Sequence, residues 1–224
     1  MNLFYQPRLK ENINSLEGDE AHHAKVLRLS VGDEILVTDG KGLLCEAAIA
    51  SGGFKVLNQK TLTRNHSINL FVAPTKNSDR IEWLVEKATE IGIDSITLVE
   101  CQRSERRKVN HDRLIKTAIS AMKQSQQAWL PVINNIRSLP DIISSSFDQK
   151  FIAYVDHTNP DQLKDLVKKK HSYALLIGPE GDFTDDEVQL AIKNHWQKVS
   201  LGPTRLRTET AALMGCLTLV LANN

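Results

Sequence analysis

The spacing of hydrophobic positions changes near residue 66 and divides the chain into two parts. Before that point, short apolar runs alternate with polar residues, a pattern that predicts β-strands. Strands over Glu34–Asp39 and Leu43–Ser51 flank the glycine-containing segment Asp39-Gly40-Lys41-Gly42, which is typical of a hairpin turn. A further strand is predicted over Phe54–Leu62 and a helix over Asp19–Leu29. The amino-terminal part is therefore predicted to be a small β-rich domain.

From Ile68 onwards, apolar strands alternate with segments of helical period. The strands are predicted over Ile68–Ala73, Ile93–Val99, Val132–Ile136, Phe151–Val155, Tyr173–Ile177 and Lys198–Leu201. Helices follow them, beginning near Ser78, Asp112, Asp141, Asp161, Asp185 and Thr208. Ser78 is expected to be the N-cap of the first of these helices. Such alternation predicts an α/β domain, a mostly parallel sheet with helices on both faces. We expect domains over residues 1–68 and 69–224.

Composition narrows the class of protein. The chain has 224 residues, 41% of them hydrophobic and 25% charged, as in ordinary globular proteins. Its 28 basic and 27 acidic residues give a formal charge of +1, which excludes a uniformly basic nucleic-acid-binding protein and leaves only local basic patches. Three widely spaced cysteines indicate neither a disulfide framework nor a zinc site, so we expect no metal. No apolar run approaches the roughly 20 residues of a membrane span, and we expect a cytoplasmic protein.

Two loops at predicted strand ends are candidates for chemistry, because parallel sheets bind ligands at the carboxyl ends of their strands. The loop Gly178-Pro179-Glu180-Gly181-Asp182-Phe183 precedes a capping box at Thr184 and Glu187. The loop Gly202-Pro203-Thr204-Arg205-Leu206-Arg207 precedes the last helix, whose amino terminus favours anions. A purely structural reading remains open for both: capped helices, with Thr208 capping the second, and solvated arginines.

Other enzyme motifs are absent from the sequence. There is no GxxxxGK[ST], no GxGxxG after a first strand, no GxSxG and no HExxH. Phosphate-binding P-loops, Rossmann dinucleotide sites, nucleophile elbows and zinc proteases are therefore not indicated.

The two loops belong to an ordered set of segments that extends over nearly the whole chain. The other members are His22–Arg28, Gly32-Asp33, Lys76 with Arg80–Gly92, Arg103-Ser104 and Lys123-Gln124-Ser125. In this order they closely resemble the RsmE-type 16S rRNA (uracil-N3)-methyltransferases. A single segment would be weak support, but the ordered set is highly specific.

The resemblance implies a fold and an activity. The fold would be a SPOUT α/β domain with a trefoil knot in its carboxyl-terminal chain, preceded by a PUA-like β-barrel that binds RNA. The enzyme would be a homodimer that uses S-adenosylmethionine to methylate N3 of a uridine in 16S rRNA, in the assembled small ribosomal subunit or in free rRNA. Neither a metal nor a membrane would be involved.

The resemblance also assigns residues to roles. The cofactor would be held by Val155, Ile177, Gly178, Pro179, Glu180, Gly181, Leu201, Gly202, Leu206, Arg207, Thr208 and Ala211. The chemistry of the reaction, considered separately from the resemblance, makes Arg207 the first and Arg205 the second candidate for stabilising negative charge on the uracil. Glu209 is a candidate for accepting the uracil proton, with the alternative that it only complements the dipole of the last helix. Candidate RNA contacts are Arg8, Lys25, Arg28 and Arg103.

The sequence departs from the usual pattern at three places. Asp182 stands where a glycine is common, Gln127 where an arginine is common, and Thr204-Arg205 where Arg-Ile is usual. The last two put in doubt which arginines face the RNA. Two other functions stay open: a SPOUT enzyme acting on another RNA, such as a tRNA ribose 2′-hydroxyl, and a non-catalytic RNA-binding protein.

Overall fold

The structure of the protein is a computed structural model that describes residues 1–106, 108–155 and 161–224. The chain forms two compact units, and it contributes two separate segments to each of them. The first unit contains residues 1–64 and 119–130, and the second contains residues 65–118 and 131–224. Within the described ranges, no helix is long and apolar enough to cross a membrane.

The first unit is built on an open row of strands. Its elements are β1 (Leu3–Tyr5), a 3-10 turn (Leu9–Glu11), α1 (Gly18–Val26), β2 (Glu34–Thr38), β3 (Leu43–Ala50) and β4 (Gly53–Thr61). The strands are arranged in the order β1-β2-β3-β4, and the pairs β2–β3 and β3–β4 are antiparallel. This confirms the predicted hairpin and the strand after it. Strand β1 pairs parallel with β2 and escaped prediction, because three residues are too few to show an alternating pattern.

The hairpin turn is held by the side chain of Asp39. Its Oδ1 accepts hydrogen bonds from the N–H groups of Lys41, at 2.7 Å, and Leu43, at 3.0 Å. Gly42 lets the ring of Trp129 pack closely against the turn, since a Cβ at residue 42 would lie 2.5 Å from Cζ2 of that ring. The turn is therefore shaped both by local hydrogen bonds and by residues far away in the sequence.

The second unit alternates strands and helices, as predicted. The strands are β5 (Ser67–Val72), β6 (Ser95–Glu100), β7 (Val132–Ser138), β8 (Gln149–Ala153), β9 (Ser172–Ile177) and β10 (Gln197–Val199). The helices are α2 (Ser78–Ile91), α3 (His111–Gln124), α4 (Leu139–Ile143), α5 (Leu163–Leu166), α6 (Asp185–Lys193) and α7 (Thr208–Asn223), and the end of α3 groups with the first unit. The described strands of this sheet are all parallel, in the order β10-β8-β9-β5-β6-β7.

The helix ends show which caps can be predicted from neighbouring residues in the sequence. The capping box at Thr184 and Glu187 is present, and α2 ends at Gly92 in the left-handed conformation, with φ 89°. The prediction that Ser78 caps α2 is wrong by one residue: Asn77 accepts the N–H of Asp79 at 2.9 Å. Both side chains suit a cap, and only the backbone conformation decides between them.

Helix α7 packs directly on the centre of the sheet. Ala212, Cys216 and Leu219 are fully buried, and a Cβ at Gly215 would lie 2.5 Å from Cδ2 of Leu175 in β9. The missing side chain at Gly215 therefore lets the helix backbone approach the strand closely.

Strand order places three loops at one edge of this sheet. In a parallel sheet all carboxyl ends lie on the same side. Because β10, β8 and β9 are consecutive neighbours, the residues after each strand, Ser200, Tyr154 and Gly178, meet there. This is where the candidate site lies.

Candidate functional site

The two glycine-proline loops are joined by one buried hydrogen bond. The hydroxyl of Thr208 donates to the carbonyl oxygen of Gly178 at 3.1 Å. Thr208 begins α7, and Gly178 begins the loop after β9. The expectation that Thr208 caps α7 is wrong, because Arg207 is the N-cap residue and the Thr208 hydroxyl is used between the loops.

The loop after β9 is compact. The N–H of Asp182 donates to the carbonyl of Pro179 at 2.9 Å, which closes a turn. A Cβ at Gly178 would lie 3.0 Å from the ring of Phe183, so the ring packs on the glycine backbone. Asp182 has φ 59°, in the left-handed region that favours glycine. This conformation explains why a glycine suits the position that Asp182 occupies here.

Two groups brace this loop from outside. Arg103 donates from one guanidinium nitrogen to the carbonyls of Gly181, at 2.8 Å, and Phe183, at 3.2 Å. The carboxylate of Glu180 accepts the N–H of Lys76 at 3.1 Å. The loop is thus tied to the segments that follow β5 and β6.

The loop after β10 is held by a serine. Ser200 Oγ donates to the carbonyl of Gly202 at 3.1 Å and lies 3.2 Å from its N–H, which donates back to it. Gly202 has φ 136°, a conformation that a side chain would strain.

These loops enclose a cavity of about 650 Å³. Its size falls within the range of small-molecule sites, roughly 300–1,000 Å³. The cavity is lined by Ala153, Tyr154, Val155, Gln162, Ile177, Gly178, Pro179, Glu180, Asp182, Val199, Ser200, Leu201, Gly202, Pro203, Thr204, Arg205, Leu206, Arg207, Thr208 and Ala211. The lining combines apolar side chains with the backbone of two glycine-containing loops, which suits a flat aromatic ring carrying polar substituents.

Every predicted cofactor-binding residue except Gly181 lines this cavity. Gly181 faces the other way: a Cβ there would lie 3.4 Å from Cβ and Cδ of Arg103. A valine at this position would therefore press on the arginine that braces the loop and would not touch a ligand. Tyr154 and Gln162 line the cavity without having been predicted. Tyr154 directly follows β8, so its closeness to a strand end could have indicated it, whereas Gln162 reaches the site through its pairing with Ser200, which no local pattern shows.

The candidate catalytic residues separate into two groups. Arg205 and Arg207 are exposed and line the cavity. Glu209 does not line it: the side chain is buried on α7, its Oε1 lies 3.7 Å from Nε of Arg80, and its Oε2 has no hydrogen-bond partner among the described residues. A helical turn rotates Glu209 away from the face that carries Thr208 and Ala211.

Asp182 brings a half-buried carboxylate to the cavity. Burial is the main influence and raises the pKa of Asp182. Hydrogen bonds from the N–H groups of Phe183 and Val155 oppose the rise, and so do the charges of Arg205 and Arg103. Arg205 is therefore near enough to act on the Asp182 carboxylate, whereas Arg207 has no ion-pair partner among the described residues.

The predicted RNA contacts occupy different settings. Arg8 pairs with Glu17 at 3.4 Å on the surface of the first unit. Lys25 and Arg28 are exposed at the end of α1, and Arg28 has φ 55°. Arg103 is exposed but is already used as the brace described above.

Among the described residues, no cysteine is a candidate nucleophile and no cluster of side chains is a candidate metal site. Burial raises the pKa of the Cys101 and Cys216 thiols to about 12, so they stay protonated and unreactive. The pKa of Cys45 is also raised, mainly by burial. No group of three or more His, Cys, Asp or Glu side chains is arranged to hold a metal ion within the described ranges.

Family comparison agrees with this geometry. A model of the RNA methyltransferase domain matches residues 63–220, and a model of the RNA methyltransferase PUA domain matches residues 16–56. The chain belongs to the RNA methyltransferase domain family. Its fold class is accordingly an α/β methyltransferase domain with a parallel sheet and a PUA-like domain, as the sequence predicted.

Individual members of the RNA methyltransferase family resemble the whole chain. A probable rRNA-methyltransferase from Porphyromonas gingivalis is 37% identical, with a TM-score of 0.89 and 99% of each chain covered. Ribosomal RNA small subunit methyltransferase E from Neisseria gonorrhoeae, bound to S-adenosyl methionine, is 26% identical, with a TM-score of 0.82 and coverage of 96% of this chain and 95% of that one. The protein of that name from Bacillus subtilis is 27% identical over 220 residues, covering 89% of this chain and 86% of its own.

We expect Thr208→Val to loosen the site. The variant keeps the side-chain shape but leaves the buried carbonyl of Gly178 without its donor, which costs about 1–3 kcal/mol of unfolding free energy. Urea denaturation measures the change, and Thr208→Ser, which keeps the hydroxyl, should restore most of it. Equal stability of Thr208→Val and the unmodified protein would show that the bond does not hold the loops together.

Proposed function

We propose that this protein is an S-adenosylmethionine-dependent methyltransferase that methylates N3 of a uridine in 16S rRNA. The observation that carries the proposal is the cavity of the second unit, enclosed by two glycine-proline loops, with Arg205 and Arg207 among its lining residues. The relative from Neisseria gonorrhoeae, which is bound to S-adenosyl methionine, supports the choice of cofactor.

The residues present fit this cofactor. Apolar side chains, among them Val155, Ile177 and Leu206, suit the adenine ring, and loop backbone groups suit its polar edge. S-adenosylmethionine would supply an electrophilic methyl group. Within the cavity, Gly178 and Gly202 let the backbone approach a ligand closely.

Arg207 has the leading chemical role in this proposal. Uracil N3 carries a proton and lies on the Watson–Crick edge, so the base must be unpaired before it can react. Loss of the proton leaves negative charge on the carbonyl oxygens, which a guanidinium stabilises. Arg207 has no ion-pair partner among the described residues, whereas the charge of Arg205 acts on the nearby Asp182 carboxylate. Because Glu209 lies outside the cavity, it is no longer proposed to accept the proton.

Filling the cavity tests the cofactor site. In Ala211→Leu, the larger side chain extends into the cavity, and we expect S-adenosylmethionine to bind at least about tenfold more weakly, a change of about 1.4 kcal/mol. Thr210→Leu is the matched control, since Thr210 is exposed and does not line the cavity. Isothermal titration calorimetry measures both. Equal affinity of the two variants for S-adenosylmethionine would show that the cofactor binds outside this cavity.

Removing the Arg207 side chain tests the chemistry. Arg207→Ala should lower the methylation rate on the order of 100–1,000-fold, because one charge-stabilising group is lost. The helix should be unaffected, since the Arg207 side chain makes no capping bond. In cells, a methyl group on N3 stops reverse transcriptase, so the stop in 16S rRNA should disappear in a strain that carries only this variant.

The same experiment separates the rival functions. A persistent stop with Arg207→Ala would exclude an essential role for the arginine. A methyl group found on ribose O2′ would replace the N3 assignment with another SPOUT reaction. Binding of RNA without any methyl transfer would favour a non-catalytic RNA-binding protein.

Homodimer formation is part of the proposal and is supported by one face of α7. Met214, Leu217 and Leu221 are 45%, 40% and 62% exposed, and their spacing places them on one side of the helix. The same helix also carries small and apolar residues whose size would permit close helix approach, namely Ala211, Ala212, Leu213, Gly215 and Leu219. Several of these are instead buried in the chain's own sheet.

Charge on this apolar stripe should prevent dimerisation. We expect Leu217→Glu to give a particle of one chain, 25.1 kDa, where the unmodified protein gives twice that mass. Gln197→Glu introduces the same charge at an exposed position of β10 and should leave the dimer intact. Light scattering at micromolar concentration distinguishes the two. A dimeric Leu217→Glu protein would place the interface on another face.

Three further features remain predictions within the proposal. They are the trefoil knot of the carboxyl-terminal chain, action on the assembled small subunit, and a cytoplasmic location. A division of the chain into a 1–68 RNA-binding domain and a 69–224 methyltransferase domain has the same status.

A further inference from the structure

The first unit contains a cavity of its own, with a volume of about 450 Å³. It shares no lining residue with the cavity of the second unit. Its lining consists of Met1, Asn2, Leu3, His23, Ser120, Lys123, Gln124 and Gln126. Apart from two apolar side chains, these groups are polar, so the cavity is suited to a hydrogen-bonding ligand.

Two segments singled out in the sequence meet at this cavity. His23 belongs to the segment His22–Arg28, and Lys123 and Gln124 belong to Lys123-Gln124-Ser125. Neither segment contributes to the cavity of the second unit. The Lys123 ammonium donates to Nδ1 of His23 at 3.0 Å and to Oε1 of Glu20 at 2.7 Å, which fixes the two segments together.

The inner charges of the cavity balance each other. The side chains of Lys123 and Glu20 are 15% and 13% exposed, and they form a direct ion pair. Burial and the Lys123 charge lower the pKa of His23, so the imidazole is neutral near pH 7. Because Nδ1 of His23 accepts from Lys123, its Nε2 carries the proton. Lys123 is therefore already neutralised, and an anion such as a phosphate finds no free cation among the lining side chains.

The outer part of the cavity offers uncharged hydrogen-bonding groups. Asn2, Ser120 and Gln124 are exposed, and their side chains have no hydrogen-bond partner among the described residues. Gln126 donates from Nε2 to the carbonyl of Met1 at 3.1 Å, which leaves its own carbonyl oxygen open. Amide side chains present a donor and an acceptor side by side, the pattern that base edges display.

We propose that this cavity binds an unpaired base of the RNA substrate through uncharged hydrogen bonds from Ser120 and Gln124. The inference rests on the proposed function, because an RNA substrate is assumed. Sequence-specific RNA recognition commonly reads splayed-out bases in this way. The predicted cations Arg8, Lys25 and Arg28 do not line the cavity, so contacts to phosphates would be made by a different set of groups.

A double variant, Ser120→Ala with Gln124→Ala, tests the proposal on the full chain. Both side chains are exposed and have no partner among the described residues, so the fold should be kept. Gln59→Ala, at an exposed position of β4, is the control. The probes are a 16S rRNA transcript and small ribosomal subunits from a strain lacking the gene, and binding is measured from 50 to 200 mM salt.

We expect the double variant to bind the preferred probe at least about tenfold more weakly than the control. The slope of log affinity against log salt should stay unchanged, because no charge is removed. Affinity for S-adenosylmethionine should also be unchanged. A second variant, Ser120→Trp, should weaken RNA binding by filling the cavity.

The outcomes keep the two proposals apart. If the unmodified protein binds and methylates the RNA and both variants bind it as the control does, the cavity is not a base site and the proposed function stands. A flatter salt slope in the double variant would also overturn the inference, since it would indicate lost phosphate contacts. If the unmodified protein neither binds nor methylates either probe, the proposed function is wrong, and the inference that rests on it is wrong as well.

Discussion

Parallel pairing of β8 with both β9 and β10 is the constraint on which the site of the second unit depends. It places the carboxyl ends of β10, β8 and β9 side by side, so that loops separated by some twenty residues or more enclose one cavity. Burial of β9 on both faces keeps this arrangement fixed, because α7 packs on it through Gly215. The Thr208–Gly178 hydrogen bond then sets the start of α7 against the loop after β9.

Backbone groups form much of this cavity, and side chains outside it hold the backbone in place. Arg103 braces the carbonyls of Gly181 and Phe183, and Ser200 holds Gly202. Few charged groups then remain to act on a substrate. Two of them are Arg205, whose charge lowers the pKa of the Asp182 carboxylate, and Arg207, which has no ion-pair partner among the described residues. The proposed chemistry therefore relies on Arg207, which has no ion-pair partner among the described residues, to stabilise developing charge.

The first unit follows a different principle. Its polar cavity is formed around Lys123, Glu20 and His23, whose charges balance. The proposed recognition of RNA there therefore depends on hydrogen bonds from uncharged side chains and not on attraction between opposite charges. This agrees with the nearly balanced composition of the chain, +1 in formal charge. The two units thus provide a cofactor-sized cavity and a separate polar one, each built from its own residues.

The sequence by itself determined most of the elements and most of the residues that line the cavity of the second unit. Strands buried on both faces are continuous apolar runs, so their period was sufficient to predict them. The capping box at Thr184 and the glycine that ends α2 depend on neighbouring residues and were predicted too, whereas the caps of α2 and α7 were not. The loops were found because the strand ends that carry them could be recognised. Tertiary structure alone decided the rest. It turned Gly181 towards Arg103 and Glu209 towards Arg80, joined residues 119–130 to the first unit, and brought His23 to Lys123. These depend on contacts between residues far apart in sequence, and no local pattern of polarity or backbone preference records which distant side chain a residue will face.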